Sequence, residues 1–335
     1  MYRLYSHTAL VLFLFSLLTT FTALGDDEVF AVSEIPNEGR VVSAHFADFD
    51  GDGRKDLMIA SLNGMPPEET RTIRVHLQNP DASYSASPSH VIAIPKGSAV
   101  YDIADLKPRP GDELVLLRPD AITILSIADT EVVEWNMPIE GPSTVAASDD
   151  ERGFDSYTLV YDIAPAPLIL VPQIGLVSVL TADGKQMGQI DVGSRANYFV
   201  AHSSSIFSAE SDLQLYLDTP KLSVGDVNGD ARTDIVAATR HEIRVFLGRA
   251  DGRFDREPSY AHALKLISPL DHSRGSGSVV TIARDVNNNG LLDLVITHVE
   301  GTFSDTVTTT YFYQNRDGRW ELNNPDDKFV SDGTL

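Results

Sequence analysis

After its first 25 residues the chain shows no sustained 3.6-residue hydrophobic period. Its apolar positions come in short β-branched runs bounded by turn residues, which is the pattern of strands. Examples are Asp56-Leu-Met-Ile-Ala60, Thr72-Ile-Arg-Val-His-Leu77, Ala121-Ile-Thr-Ile-Leu125, Asp234-Ile-Val-Ala-Ala238 and Glu242-Ile-Arg-Val-Phe-Leu247. The chain is therefore predicted to be all-β.

The runs recur as a unit: an acidic loop, a buried strand, a gap, and a second strand ending in a turn. The clearest copies begin at Ala47 (ADFDGDGRKDLMIA), Gly225 (GDVNGDARTDIVAA) and Arg284 (RDVNNNGLLDLVIT). Weaker copies begin at Ala104 (ADLKPRPGDELVLL) and Tyr161 (YDIAPAPLILV). The leading residues Asp48, Asp105, Asp162, Asp226 and Asp285 are spaced by 57, 57, 64 and 59 positions. A near-fixed period of this size marks a repeat architecture. Roughly four strands of ordinary length fit in each unit. In the first they are expected at Val41–Ala47, Asp56–Ser61, Ile73–Gln78 and His90–Ile94. Four-stranded antiparallel sheets repeated radially make a β-propeller. A string of β-sandwich domains would need about 100 residues per unit. About five blades are present, and Ala196–Thr219 is expected to be an inserted hairpin.

The acidic loops suit a hard cation. Calcium takes six to eight oxygens from carboxylates, amides, backbone carbonyls and water, and alternate residues of a tight loop can aim theirs at one centre. Asp48, Asp50, Asp52 and Asp56 occupy positions 1, 3, 5 and 9 of such a loop, with the Arg54 carbonyl at position 7. Asp226, Asn228, Asp230 and Asp234, with Arg232 at position 7, repeat the set. Asp285, Asn287, Asn289 and Asp293, with Leu291 at position 7, repeat it again. Three calcium ions are expected, bound most tightly by the first loop and least by the third, following carboxylate count. An EF-hand is excluded, because position 12 is Ile59, Ala237 or Ile296 inside a strand pattern. Asp/Asn/Gly clusters also make plain turns; three copies in phase, each with an acid at position 9, favour metal. In the second unit Lys107 and Arg109 stand at positions 3 and 5 while Glu113 keeps position 9. That unit is expected to hold no metal, with its strands kept as they are or with a Lys–Glu pair standing in for the ion. The third unit, with Pro165, Ala166 and Pro167, is also expected to hold none.

These loops and strands resemble the FG-GAP/VCBS repeat family, known from the propeller heads of integrin α-subunits. The likeness is strong over 41–78, 221–248 and 278–315. It implies calcium in the loop joining the first two strands of a blade. Such propellers typically have seven blades, so this chain reads as a truncated form of a longer ring, or as a five-bladed ring closed by Glu28–Ile35 pairing near Tyr311–Gln314. Asp327–Leu335 (DKFVSDGTL) looks like the outer strand that precedes a new unit.

The leader refines this picture. Arg3, the apolar run Ala9–Leu18 and the small residues Ala23 and Gly25 form an export signal at 1–25, leaving 26–335 as the propeller. The run is shorter than the ~20 residues of a membrane span. The protein is expected to be secreted, periplasmic or at the cell surface. There is no Cys, so export brings no disulfides and no thiol chemistry. A net charge of −22 disfavours nucleic acid. H-E-x-x-H and G-x-S-x-G motifs are absent, Arg274-Gly275-Ser276-Gly277 reads as a loop, and His45, His76 and His241 sit in or beside strand patterns. The expected role is that of a calcium-binding propeller acting as a binding, adhesion or protein-interaction module, toward an extracellular or surface protein or glycan. A polysaccharide-active hydrolase or lyase and a structural scaffold are the alternatives, since fold does not settle function. N-terminal sequencing of the exported protein should give a start at or near Asp26; recovery of Met1 on exported material would refute cleavage.

Overall fold

A strand buried on both faces must be apolar at every position, whereas a strand with one face in water alternates. The architecture is that of a computed structural model, which describes residues 34–65, 69–128, 131–145, 154–193, 195–202, 211–239, 242–263, 279–300, 305–314, 320–321 and 324–333. The leader, residues 28–33 of the expected first strand, His241 and Arg274–Gly277 lie outside the described residues. The sheets all belong to the unit Asn37–Leu335. No helix occurs among the described residues, and none is long and apolar enough to cross a membrane.

The first sheet pairs β1 (Arg40–Ala47), β2 (Asp56–Asn63), β3 (Thr70–His76) and β4 (His90–Ala93) in sequence order, all antiparallel. These match the four strands expected for that unit to within a few residues. The second sheet contains β5 (Val100–Ala104), β6 (Glu113–Leu117), β7 (Ala121–Ile127) and β8 (Val132–Pro138). It gains a fifth strand, β9 (Asp155–Ser156), which runs parallel to β5. The third sheet runs β10 (Val160–Tyr161), β11 (Leu168–Pro172), β12 (Val177–Thr181) and β13 (Gln186–Ile190). A separate hairpin follows, β14 (Arg195–His202) with β15 (Ser211–Asp218), at the expected insertion. The fourth sheet is β16 (Lys221–Gly225), β17 (Asp234–Ala238), β18 (Glu242–Phe246) and β19 (Tyr260–Ala263). The fifth is β20 (Val279–Arg284), β21 (Asp293–Glu300), β22 (Asp305–Phe312) and β23 (Asp327–Gly333).

Two expectations are corrected here. The second sheet is not wholly antiparallel, because β9 adds along β5. The place beside Tyr311 is taken by Asp327 of β23, which pairs with β22 from Tyr311 back to Asp305. The C-terminal segment thus completes its own sheet as the outer strand beside Tyr311; residues 28–33 of the segment expected to close a ring there lie outside the described residues.

The second strand of each unit lies between neighbours. In the second, third and fourth sheets it is continuously buried: Glu113–Leu117, Leu168–Pro172 and Asp234–Ala238 are buried at all positions. The outer strands β4 and β19 instead alternate half-buried and exposed residues. Alternate residues of the second strands feed successive cores. Leu114 and Leu116 pack with Met58 and Ala60 between the first and second sheets. Val115 and Leu117 join Ile169 and Val171 between the second and third. Leu168 and Leu170 meet Ile235 and Ala237 between the third and fourth. Val236 and Ala238 meet Leu294 and Ile296 between the fourth and fifth. Polar clasps reinforce these joints. The Asp102 carboxylate accepts from the Leu159 and Val160 amides at 2.7 and 2.8 Å, and Arg244 pairs with Asp191 at 2.7 Å.

Truncating one such core residue should be costly. Leu170→Ala is expected to lose about 2–5 kcal/mol in urea unfolding, while Val330→Ala, at a site 52% exposed, should stay within about 0.5 kcal/mol.

Candidate metal centre

The loop between the first two strands of a unit makes its turn by left-handed backbone at positions 4 and 6. In the first loop these are Gly51 (φ 75°) and Gly53 (φ 85°); in the second, Gly229 (76°) and Ala231 (64°); in the third, Asn288 (58°) and Gly290 (84°). The acceptors at odd positions fold over the following amides. Asp48 accepts from Gly51 (2.8 Å), Asp52 (3.1 Å) and Gly53 (2.9 Å). Asp226 accepts from Gly229 and Ala231 (both 2.7 Å), and Asp285 from Asn289 (3.1 Å) and Gly290 (2.8 Å). Positions 3 and 5 each accept from the amide two residues on: Asp50 from Asp52, Asn228 from Asp230, Asn287 from Asn289, then Asp52 from Arg54, Asp230 from Arg232 and Asn289 from Leu291. The three loops are one conformation written three times.

Position 9 has a second task. Asp56, Asp234 and Asp293 are fully buried. One oxygen of each accepts the position-2 amide: Phe49 at 2.9 Å, Val227 at 2.9 Å and Val286 at 3.1 Å. The other accepts an amide just past the third strand: Gln78 at 2.9 Å, Gly248 at 2.8 Å and Gln314 at 3.0 Å. Burial nevertheless outweighs these bonds at two of them, and pushes the Asp56 and Asp234 carboxyls above the ordinary range.

Three acidic side chains converge in the first loop. Asp48, Asp50 and Asp56 each offer an oxygen within 4.8 Å of the other two, the one such group among the described residues. Asp52, the fourth expected ligand, is tied to Arg54, whose Nε also donates to the Gln78 carbonyl at 2.8 Å. Arg232 does the same in the second loop, holding Asp230 and the Gly248 carbonyl (2.8 Å). The third loop has Leu291 there. Its neighbour Leu292 is instead held by the Gln314 side chain at 3.2 Å, and that side chain also donates to the Val227 carbonyl of the second loop. The sequence pattern assigns Arg54 and Arg232 only a backbone carbonyl and gives their side chains no part. Their repetition at position 7 was the available signal for this brace.

The loop of the second unit has become a support. Asp112 donates its amide to the Asp48 carbonyl (2.6 Å) and accepts the Asp48 amide (3.0 Å). A Cβ on Gly51 would meet Pro110 at 2.2 Å, and one on Gly111 would meet the Phe49 carbonyl at 2.4 Å, so both glycines permit this contact. Glu113 is buried and accepts from the Leu106 (2.8 Å) and Lys107 (3.0 Å) amides, as the position-9 aspartates do with theirs. A Lys–Glu pair does not stand in for the ion. Lys107 Nζ donates to the Ala182 carbonyl at 2.6 Å and lies 5.0 Å from the centre of the Trp135 ring, while Arg109 pairs with Glu131 at 2.9 Å. Between the third and fourth units, Ile163 and Pro165 with Ala231 and Arg232 of the second complete loop and Phe254 line a cavity of about 420 Å³.

The described geometry meets a repeat already defined in other proteins. Residues 226–296, from the second complete loop to the strand after the third, match the family model of the FG-GAP-like repeat. No curated protein is matched by the chain.

Ala231 alone among the position-6 residues carries a Cβ at left-handed φ, and around Gly53 and Gly290 there is open space. Ala231→Gly should therefore raise stability by roughly 0.5–1 kcal/mol, read as a higher melting temperature. A lower one would contradict strain at this position.

Proposed function

We propose that the chain is a calcium-binding FG-GAP-like repeat protein whose five sheets are blades of a propeller arc, acting outside the cytoplasm as a binding module. The observation that carries the reading is the convergence of Asp48, Asp50 and Asp56 in a loop whose fold recurs at Asp226–Asp234 and Asp285–Asp293. The set fits a hard divalent cation, which favours carboxylate and carbonyl oxygen. When bound, the ion neutralises charge that the loop otherwise concentrates. Asp48, Asp50 and Asp56 would hold it in the first loop. Asp226, Asn228 and Asp234 would do so in the second, and Asp285, Asn287 and Asp293 in the third. Asp52 and Asp230 would contribute on release from their arginines, and Asn289 joins the third set.

The partner is an extracellular or surface protein or glycan, met by the loops that join the strands. The −22 charge supports this over nucleic acid. A screen of glycans and surface proteins with and without calcium tests the module. Binding to none of them in either condition would leave a scaffold as the better reading.

Metal dependence is tested by calorimetry and melting of the mature chain. A ligand that binds only the native state stabilises by RT ln(1 + [L]/Kd), about 2.7 kcal/mol at a hundredfold excess. Chelator should therefore lower the melting temperature, and Asp50→Ala should cost more of the calcium-dependent gain than Asn287→Ala. Substitution of Lys107 should leave that gain unchanged. The pH dependence follows from the raised Asp56 and Asp234 carboxyls. The native chain binds protons there that the unfolded chain has already released, so without cation its stability falls as pH rises through the window just above the ordinary carboxylate range. A bound cation requires the ionised groups, so saturating calcium should abolish that fall. No bound calcium, with melting indifferent to chelator, would return the loops to ordinary turns.

A further inference from the structure

In the interior sheets the residues at positions 11 and 13 of a unit face the next sheet and are buried, as Val115 and Val236 are at 0% and 1% exposure. Their counterparts in the fifth sheet, Val295 and Thr297, are only half-buried. They belong to a continuous face. One row runs Val280–Thr297–Thr309–Phe329 across all four strands, and the row beside it runs Ile282–Val295–Tyr311. Val280 is 37% exposed, Ile282 42% and Phe329 64%. The Thr297 and Thr309 hydroxyls hydrogen-bond to each other at 3.1 Å, and the centre of the face carries no charged group. Asp327, at the end of the Tyr311 row, is its acidic rim.

We propose that this face packs against the same face of a second copy, giving a two-fold dimer. Four strands of about seven residues cover on the order of 400 Å², within the range of the largest patch on a monomer, which is often functional. An uncharged centre matters in a chain of net charge −22, because it is where two copies can approach without carboxylates opposing each other. A head-to-tail arrangement would need the opposite face of the first sheet. There Ile59, Ser61 and Arg74 are already buried, and Arg74 is held by Glu38 at 3.0 Å. The self-complementary arrangement remains, and it is also the commonest among oligomers. The area is below the ~800 Å² per partner of a stable standard interface, so the dimer dissociates on dilution. This inference does not depend on metal.

Sedimentation of the mature chain over a concentration series, with calcium present throughout, tests it. The wild type should approach twice the monomer mass at the upper end. Ile282→Lys and Val280→Lys should remain monomeric, while Val330→Lys, on the same strand as Phe329 but the opposite face, should still dimerise. Oxidative footprinting of the unaltered chain gives a second readout that needs no variant. Phe329 should be protected when concentrated and reactive when dilute, with Phe46, 64% exposed on the first sheet, reactive in both. A wild type that is monomeric throughout, a dimer untouched by the lysines, or a dimer with Phe329 still reactive would each overturn the proposal.

Discussion

A buried carboxylate at the start of the second strand is the constraint from which the rest of each unit follows. Asp56, Asp234 and Asp293 have no water to solvate them, and a buried charge left without partners costs several kcal/mol. Each satisfies that demand with two backbone amides, one from the loop and one from the far end of the third strand. The loop therefore cannot move without unpairing a buried acid, and neither can the end of the third strand. Local turn chemistry and sheet register are locked by the same side chain.

This separates two roles that a motif reading merges. Positions 1, 3 and 5 shape the loop; in the first loop positions 1, 3 and 9 bring oxygens together, and position 9 also anchors the loop to the sheet. The second unit shows that the roles come apart. It has lost acceptors at positions 3 and 5 to Lys107 and Arg109, yet Glu113 still accepts the amides of Leu106 and Lys107 from a buried site. Its sheet stands and its cores on both sides are filled, with Leu114 facing one neighbour and Val115 the other. What remained of the loop then took on a neighbour's needs: Gly111 and Asp112 support the first loop at Asp48.

Much of this was legible in the sequence, and for a physical reason. A second strand buried on both faces leaves an unbroken apolar run, so Asp234–Ala238 and Glu113–Leu117 declared themselves, and the period of the acidic loops set the number of units. Strand ends within the first unit were readable to a few residues because turn residues bound each run. Three features were not. The β9 strand is two exposed residues, Asp155 and Ser156, with no pattern of their own. The Asp48–Asp112 contact joins positions 64 apart, and only the stacking of the sheets brings them together. In the sequence Glu113 is a nearby opposite charge for Lys107, but the fold offers its ammonium a carbonyl on the third unit and an indole face on the second.

The three complete loops are alike in backbone but unlike in surroundings, and this difference, more than carboxylate count, distinguishes the first. Its position-1 residue is gripped from the adjoining unit at both amide and carbonyl by Asp112. The second loop is held from the fifth unit by the Gln314 side chain on the Val227 carbonyl and by packing of Val227 with Leu294. A loop held from two units loses less freedom when its acceptors gather, which is how preorganisation strengthens binding without adding contacts. The convergence of Asp48, Asp50 and Asp56 is therefore the joint product of a local motif and of a neighbouring loop that has given up its own.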